Sequence, residues 1–375
     1  MSEFGLICGA GLIGGKEIIA LELAEGFQTA GRGVHVVTSS WGDCDFTRRL
    51  TEAELPFRVL PIGFISATLK LKYLAMTGEQ LRRWPELLYR YRAFLRMAEP
   101  KKVIHTNWHH VLLLWPLLTP TRDLFWVHEI IPNLRHYRVL FQGLSLRLQC
   151  FVAVSNAVSQ SLQRIGIPSR KIEIIYNGLS DPTANVAPIS MKSNDRLRVG
   201  IVGHVGEWKG HDDLLIAFRQ IVPQCPTAEL HIFGKGPAEY EHHLKTVVGD
   251  FDIVDRVKWH GFVKDRAAIF SELDICVVPA RGDEAFGMVA IEAAGFGLPV
   301  IATRQGGLSE IVEDDVTGIL VPPNDPAALA EAMLRLLTNS SLRRTMGSNA
   351  RERMLRLFSK QRFIQDFLTL LEAHT

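Results

Sequence analysis

Residues 1–27 read MSEFGLICGAGLIGGKEIIALELAEGF, and the reading of this stretch decides the fold. An apolar run, Phe4–Cys8, precedes a G-x-G-x-x-G at Gly9, Gly11 and Gly14, and a helical spacing of Ile18, Ile19, Leu21, Leu23 and Phe27 follows. A glycine turn between an apolar strand and a helix is the first βα unit of a parallel sheet, and it offers bare backbone to a phosphate at the helix start. If that phosphate belonged to NAD, an acidic residue should close the second strand and bind the ribose hydroxyls. That strand reads VHVVTSSW over Val34–Trp41, with Thr38, Ser39 and Ser40 where the acid belongs. The glycines therefore serve a tight turn or a different diphosphate, and an NAD-dependent oxidoreductase is disfavoured.

The alternation of short apolar runs with helical patterns continues along the chain. Strands are expected at Phe4–Cys8, Val34–Thr38, Phe57–Pro61, Val103–Thr106, Leu124–Val127, Phe151–Val154 and Ile172–Ile175. After the polar stretch NGLSDPTANVAPISMKSND (Asn177–Asp195) a second series runs Leu197–Val202, Ala228–Phe233, Val257–Trp259, Ile275–Val278, Val300–Ala302 and Ile319–Val321. Two successive series of βα units predict two Rossmann-like, doubly wound parallel-sheet domains, residues 1–182 and 196–356, facing a cleft. A length of 375 residues accommodates two such cores.

Composition narrows the partners. With 47% hydrophobic and 22% charged residues and a net charge of +2, the chain has the make-up of a globular protein with no overall pull toward polyanions. Residues 1–195 hold 22 Lys/Arg against 16 Asp/Glu and residues 196–375 hold 20 against 24, so a basic first half and an acidic second half suit different partners. Five cysteines without C-x-x-C spacing speak for buried thiols and against a structural zinc site. The N-terminus lacks a basic n-region and a cleavage site, and the densest apolar stretch is interrupted by Pro116; a cytoplasmic location is expected.

The richest stretch is GDEAFGMVAIEAAGFGLPVIATRQGGLSEIVEDDVTGILVPPNDPAALAEAM, Gly282–Met333. Glu284 and Glu292 stand eight positions apart with Phe286 and Gly287 between them. Eight helical steps rise about 12 Å, beyond the roughly 5–9.5 Å between the carboxylates of a glycosidase, so the pair suits two ends of one long ligand. Gly287, Met288 and Val289 would open the intervening helix with amides free to receive an anion. In RVGIVGHVGEWKGHDDLLIAF (Arg198–Phe218), Lys209 ahead of a helix makes a reasonable phosphate clamp. In LHIFGKGP (Leu230–Pro237), Gly234 and Gly236 let a flat ligand approach the backbone closely.

Taken together these residues resemble glycosyltransferase family 4, the retaining GT-B nucleotide-sugar transferases. The match runs through the E-x7-E pair, Gly297–Thr303, Gly306–Glu310, the AVSNAVSQSLQRIGIPSRKIEIIYNGLSD stretch (Ala153–Asp181) with Ser155, Lys171, Asn177 and Gly178, and the GLIGGKE start. The resemblance implies a GT-B fold whose C-terminal helix, 357–375, crosses back to the first domain. It implies a nucleotide-sugar donor, UDP- or GDP-linked, with no metal and no other cofactor. Gly14 and Gly15 would face the donor diphosphate, Lys209 would neutralise it, and the Gly287, Met288 and Val289 amides would hold diphosphate and sugar. Glu284 would meet the sugar hydroxyls and Glu292 the ribose, while Gly236 and Phe262 would border the base and His128 would stand near the transferred sugar. Phe286 lies inside the same donor-binding stretch. One position departs: His204 stands where many members carry an arginine, so stabilisation of the leaving group would fall more heavily on Lys209. A non-catalytic sugar-nucleotide-binding module is the competing reading, and intact Lys209, Glu284 and Glu292 argue against it.

Two further features are read as solvated or structural. Asp43–Asp45 mimics a metal-binding D-x-D in a loop after the second strand, and His109-His110 has no carboxylate or cysteine at ligand spacing. Residues 66–102 hold nine Lys/Arg against three Asp/Glu, interleaved with Trp84, Tyr89, Tyr91 and Phe94. Arg82, Arg83, Arg90 and Lys101 with these aromatics are expected to rest on anionic lipid through residues 70–102, making the protein peripheral on the inner membrane face. The expected acceptor is a glycan or lipid-linked glycan of a surface polysaccharide. Nucleic acid is not expected, because no recognised binding motif accompanies the basic patch.

Overall fold

The computed structural model describes residues 3–9, 14–41, 45–63, 65, 71–183 and 196–373. The chain divides into two compact units, Met1–Gly178 with Lys360–Thr375, and Leu179–Ser359. Gly11 and most of the polar stretch after Asn177, residues 184–195, lie outside the described residues.

The first unit is a seven-stranded parallel sheet of β1 (Phe4–Ile7), β2 (Val34–Ser39), β3 (Phe57–Leu60), β4 (Lys102–His105), β5 (Asp123–Val127), β6 (Phe151–Ala153) and β7 (Ile172–Ile174). Their order is β3-β2-β1-β4-β5-β6-β7. The intervening helices are α1 (Gly15–Thr29), α2 (Asp45–Glu52), α3 (Leu71–Arg82), α4 (Trp84–Ala98), α5 (Trp108–Leu113), α6 (Arg135–Ser145) and α7 (Asn156–Arg164). The second unit pairs β8 (Leu197–Val202), β9 (Ala228–Phe233), β10 (Val257–Gly261), β11 (Ile275–Val278), β12 (Val300–Thr303) and β13 (Gly318–Val321) in the order β10-β9-β8-β11-β12-β13. Its helices are α8 (His211–Ile221), α9 (Ala238–Asp250), α10 (Arg266–Phe270), α11 (Met288–Gly295), α12 (Leu308–Ile311), α13 (Pro326–Thr338) and α14 (Ser340–Leu357). The chain then returns to the first unit as α15 (Lys360–Ala373).

Every strand pairing within the two sheets is parallel, and each crossover carries helices that cover a sheet face. The central strands are consequently buried on both sides and read as unbroken apolar runs; all residues of β1, β4, β5, β11, β12 and β13 are buried. Chain order reverses between β1 and β4 in one sheet and between β8 and β11 in the other. Such switch points leave the loops at the strands' carboxyl ends without a crossing connection over them, which is where open α/β sheets bind ligands.

Helix starts follow side-chain chemistry. Asn107, Ser155, Asp265, Asp325 and Asn339 each accept a hydrogen bond from an amide in the first turn of their helix, satisfying donors that the helix leaves orphaned. Asp45, assigned to a loop from the sequence, instead opens α2 and pairs with Arg48 and Arg49; Asp43 and Cys44 lie outside the described residues. Among the described residues no helix is long and apolar enough to cross a membrane.

In the stretch expected to meet lipid, helical spacing sorts the side chains. Tyr91 and Phe94 are fully buried core residues of α4 and Trp84 donates its Nε1–H to the Leu113 carbonyl, leaving Tyr89 as the most exposed of these four aromatics. Arg82 pairs with Glu79, Arg83 and Arg90 with Glu86, and Lys101 lies 3.9 Å from Glu3. The patch is thus less basic and less aromatic at its surface than its composition states.

α15 completes the first core. Phe363 and Phe367 pack on Trp126 of β5 with centroids 5.6 and 5.0 Å away. A side chain at Gly26 of α1 would collide with Ile364, so the two helices meet at bare backbone. Lys360 pairs with Glu22 and Glu25 at the start of α15. Removing a fully buried phenylalanine loses its transfer free energy and leaves a cavity, about 3–5 kcal/mol. Phe367→Ala should therefore lower the unfolding transition of the first unit and leave that of the second in place; calorimetry showing both transitions moved equally would refute this assignment of α15.

Candidate active site

The loops that follow β8 and β11 bring together the charged residues expected at the donor site. Lys209 ends a 3-10 turn, Glu207–Lys209, and Gly210 after it adopts a left-handed conformation, φ 75°. A Cβ at Gly210 would collide with the Pro279 carbonyl at the start of the second loop. Glu284 lies in that second loop, and its Oε2 accepts from Lys209 Nζ at 2.6 Å. Both side chains are about three-quarters buried.

The second loop is held from below by the RQGG segment after β12. Gly307 donates its amide to the Glu284 carbonyl at 2.7 Å. A Cβ on Gly306 would strike the same carbonyl and one on Gly307 the Phe286 backbone. Two glycines in succession are needed because two backbones touch there. Gly287, φ 113°, caps α11 and turns the chain so that Met288 and Val289 enter the helix. Phe286 faces inward against Phe358, centroids 5.8 Å apart; its side chain is core, and what it can offer a ligand is backbone.

Glu292 lies in the second turn of α11. Its Oε1 is 3.3 Å from Arg266 Nε, and its Oε2 is buried with no hydrogen-bond partner among the described residues. Burial pushes the carboxyl up to about 7, against a smaller opposing pull from Arg266. An orphaned buried carboxylate oxygen is costly, and a ligand hydroxyl would satisfy it.

Gly234 and Gly236 follow β9. Their missing side chains make room for the Gly203 and Val205 carbonyls of the loop after β8, and the Gly236 amide already donates to Glu241 at 2.7 Å. These glycines therefore zip two loops together, a packing role beside any approach of a ligand. His204 is exposed and stacked on Trp208, centroids 5.1 Å apart. Phe262, 71% exposed, follows Gly261 at the end of β10.

The first unit has its own polar group at the β1/β4 switch point. Gly14 caps α1, and its amide donates to the Glu17 carboxylate at 2.9 Å; an anion approaching there meets that carboxylate first, with Gly15 opening the helix beyond it. Gly9, φ 94°, is free of a side chain where Thr38 Oγ1 crosses it, so the place of an NAD-binding acid is filled by a hydroxyl packed on the first turn. His128 follows β5, and its Nε2 is buried without a hydrogen-bond partner among the described residues. Burial, with a smaller push from Lys16, holds His128 well below the ordinary imidazole range. His109 accepts the Ile65 amide at 3.2 Å through Nδ1, and burial lowers it to about 4. His110 is fully buried and held low by the same causes. All three rings are neutral near pH 7. Among the described residues no group of three or more His, Cys, Asp or Glu is placed to hold a metal ion.

Similarity to known proteins extends over both units. The model "Glycosyltransferase Family 4" matches residues 13–181, and "Glycosyl transferases group 1" matches residues 196–339. The chain belongs to glycosyltransferase family 4. The phosphatidyl-myo-inositol mannosyltransferase of Mycobacterium leprae (strain TN) is 27% identical over 91% of this chain and 89% of its own. The amylovoran biosynthesis glycosyltransferase AmsK of Erwinia amylovora is 30% identical over 54% of this chain and 51% of its own. Matches to two further curated relatives span 60% and 58% of their lengths. Among solved structures, Anabaena Alr3699/HepE in complex with UDP superposes with a TM-score of 0.82 at 20% identity, covering 100% of both chains. The fold is GT-B.

Several residues of the candidate site escaped the sequence reading. Arg266 beside Glu292 and the Arg281–Asp213 pair near Lys209 join residues distant in sequence, and Glu17 accepts the Gly14 amide at the start of α1. Only Glu17, three residues after its capping partner, carried a local signal.

The raised Glu292 carboxyl has a consequence for stability. It is protonated more readily in the native state than in the unfolded chain, so its burial penalty is absent below about pH 4.5 and grows as pH rises toward 7. Glu292→Gln should stabilise the second unit at pH 8, by at most roughly 3 kcal/mol, and the gain should vanish by pH 4.5. A gain of equal size at both pH values would contradict it.

Proposed function

We propose that this protein is a retaining, metal-independent hexosyltransferase that moves a sugar from a UDP- or GDP-sugar to a glycan or lipid-linked acceptor in surface polysaccharide or glycolipid assembly. The observation that carries the reading is the Lys209–Glu284 pair at the open end of α11, with the unpartnered Glu292 oxygen one to two turns inside. Cation, helix amides and two carboxylates in that order complement a nucleoside diphosphate bonded to a sugar: phosphates for the first two, hydroxyls for the last two.

Transfer breaks the bond between the anomeric carbon and the diphosphate oxygen, through an oxocarbenium-like state, and forms a bond to an acceptor oxygen. Negative charge grows on the departing diphosphate as that bond breaks. Lys209 and the Gly287, Met288 and Val289 amides are fixed donors aimed at such charge, so they cost no reorganisation when the reaction occurs. Glu284 would position the sugar through its hydroxyls and Glu292 the ribose. Neutral His128 can offer a hydrogen bond beside the transferred sugar without repelling a developing positive charge on the ring. Gly14, Gly15, Gly236, His204 and Phe262 are assigned to the borders of the donor. A non-catalytic module on the same fold would bind the nucleotide sugar without turnover, so a measured transfer rate that depends on Lys209 separates the two readings.

A ligand that binds the folded state raises its stability by mass action. One of UDP, GDP and ADP should raise the melting temperature with or without magnesium, and Lys209→Ala should lose that shift together with at least a hundredfold of kcat/KM. A shift from NAD alone, or a Lys209→Ala protein with parental activity, would overturn the proposal.

Membrane contact is proposed through a narrower face than the composition suggests. Tyr89, 77% exposed, lies three and seven positions before Arg92 and Arg96 on α4, and both arginines are exposed without an ion pair among the described residues. Anionic vesicles should sediment the protein at low salt, and Arg92→Glu with Arg96→Glu should abolish it. Absence of sedimentation by the parent defeats this proposal and leaves the transferase reading standing.

A further inference from the structure

Lys209 and Glu284 sit on separate loops, and their spacing has to be imposed by something other than the ion pair itself. A donor that engages both side chains must be able to draw them apart, and the loops must then keep their places. The residue that bridges them is Arg281, between β11 and Glu284. Its backbone amide donates to the Trp208 carbonyl at 2.9 Å, one residue before Lys209. Its guanidinium grips Asp213, four residues after Lys209, with Nε to Oδ2 at 2.7 Å and Nη2 to Oδ1 at 2.6 Å. Arg281 thus takes hold of the Lys209 segment on both sides of the lysine.

The grip is anchored at its far end. Asp213 is buried in the first turn of α8. Its neighbour Asp212 lies 3.8 Å from Arg281 Nη1, and it is held by the Tyr240 hydroxyl at 2.6 Å and by His243 Nε2 at 2.9 Å. Behind Arg281, Gln305 donates to the Ala280 carbonyl and, at 2.9 Å, to the Gly282 carbonyl. The fork of a guanidinium fixes direction as well as distance, which an ammonium on a flexible stem does not. No contact joins Arg281 to Lys209 Nζ or to the Glu284 carboxylate among the described residues, so any effect it has on a donor passes through the two loops.

We infer that Arg281 is a positioning residue, whose paired grip on Asp213 and the Trp208 carbonyl holds Lys209 at the donor phosphates in register with Glu284. The inference rests on the donor-site reading above and adds to it a residue that touches no substrate. It requires that the rate contribution of Arg281 be realised through Lys209, which a purely structural arginine would not show.

The test is a double-mutant cycle on the full chain with Arg281→Gln, Lys209→Ala and both together, with melting temperatures recorded for each. Arg281→Gln should lower kcat/KM at least tenfold in the parent background and less than twofold in the Lys209→Ala background. Where the Lys209→Ala rate is too low to measure, the same cycle is read by calorimetry on affinity for UDP, GDP or ADP, whichever raised the melting temperature, with the same ratios expected. Arg281→Lys, which keeps the charge but not the fork, should remain at least fivefold impaired. Equal losses in both backgrounds, an unimpaired Arg281→Gln, or full rescue by Arg281→Lys each overturn the inference. A Lys209→Ala protein with parental activity overturns the donor-site reading as well, whereas an inactive Lys209→Ala beside an unimpaired Arg281→Gln overturns only the role of Arg281.

Discussion

Lys209 and Glu284 are 75 residues apart and share a hydrogen bond because β8 and β11 are neighbours in one parallel sheet. That adjacency is the constraint on which the rest of the second unit depends. Chain order reverses at this pair of strands, so their carboxyl-terminal loops lie side by side with no crossover helix between them. Each remaining feature refines the adjacency: Gly210 permits the loops to touch at Pro279, Gly306 and Gly307 support the Glu284 backbone from the next loop, and Gly287 turns the chain into α11. On this frame a cation, the start of α11 and two carboxylates converge at one edge of the sheet.

Glycine carries much of this construction, for a reason separate from ligand access. At Gly234, Gly236, Gly306 and Gly307 a methyl group would meet a carbonyl oxygen or backbone atom of a neighbouring loop. The loops after four strands can then be stacked in one layer, with side chains reserved for the few positions that meet a ligand. The proposed transfer relies on charge stabilisation, and donors held on packed loops lose no free energy to rearrangement.

The first unit is organised differently. Its switch point holds buried histidines and a capped glycine turn beside Lys16, and its core is completed by α15 from the far end of the chain. A Gly14 amide already engaged by Glu17 makes this face selective for groups that can tolerate or displace a carboxylate.

Local sequence was enough to place all thirteen strands of the two sheets to within a residue or two, because parallel strands covered on both faces must be short apolar runs between turn signals. It also put Gly287, Met288 and Val289 at the start of α11, with Gly287 one residue before the helix that begins at Met288, since glycine turns and helix starts are written in adjacent residues. Composition misled where burial decides: residues 66–102 look aromatic and basic, yet the helix turns Tyr91 and Phe94 into the core and folds Glu79 and Glu86 onto three of the arginines. Phe286, counted with the donor site, has a buried side chain, so what it can offer a ligand is backbone. The pairings that give the site its electrostatics, Arg266 with Glu292, Arg281 with Asp213 and Lys209 with Glu284, join residues 26 to 75 positions apart. No local pattern encodes them, because the energy of a charge pair depends on distance and burial, and both are set only when the strands take their order in the sheet.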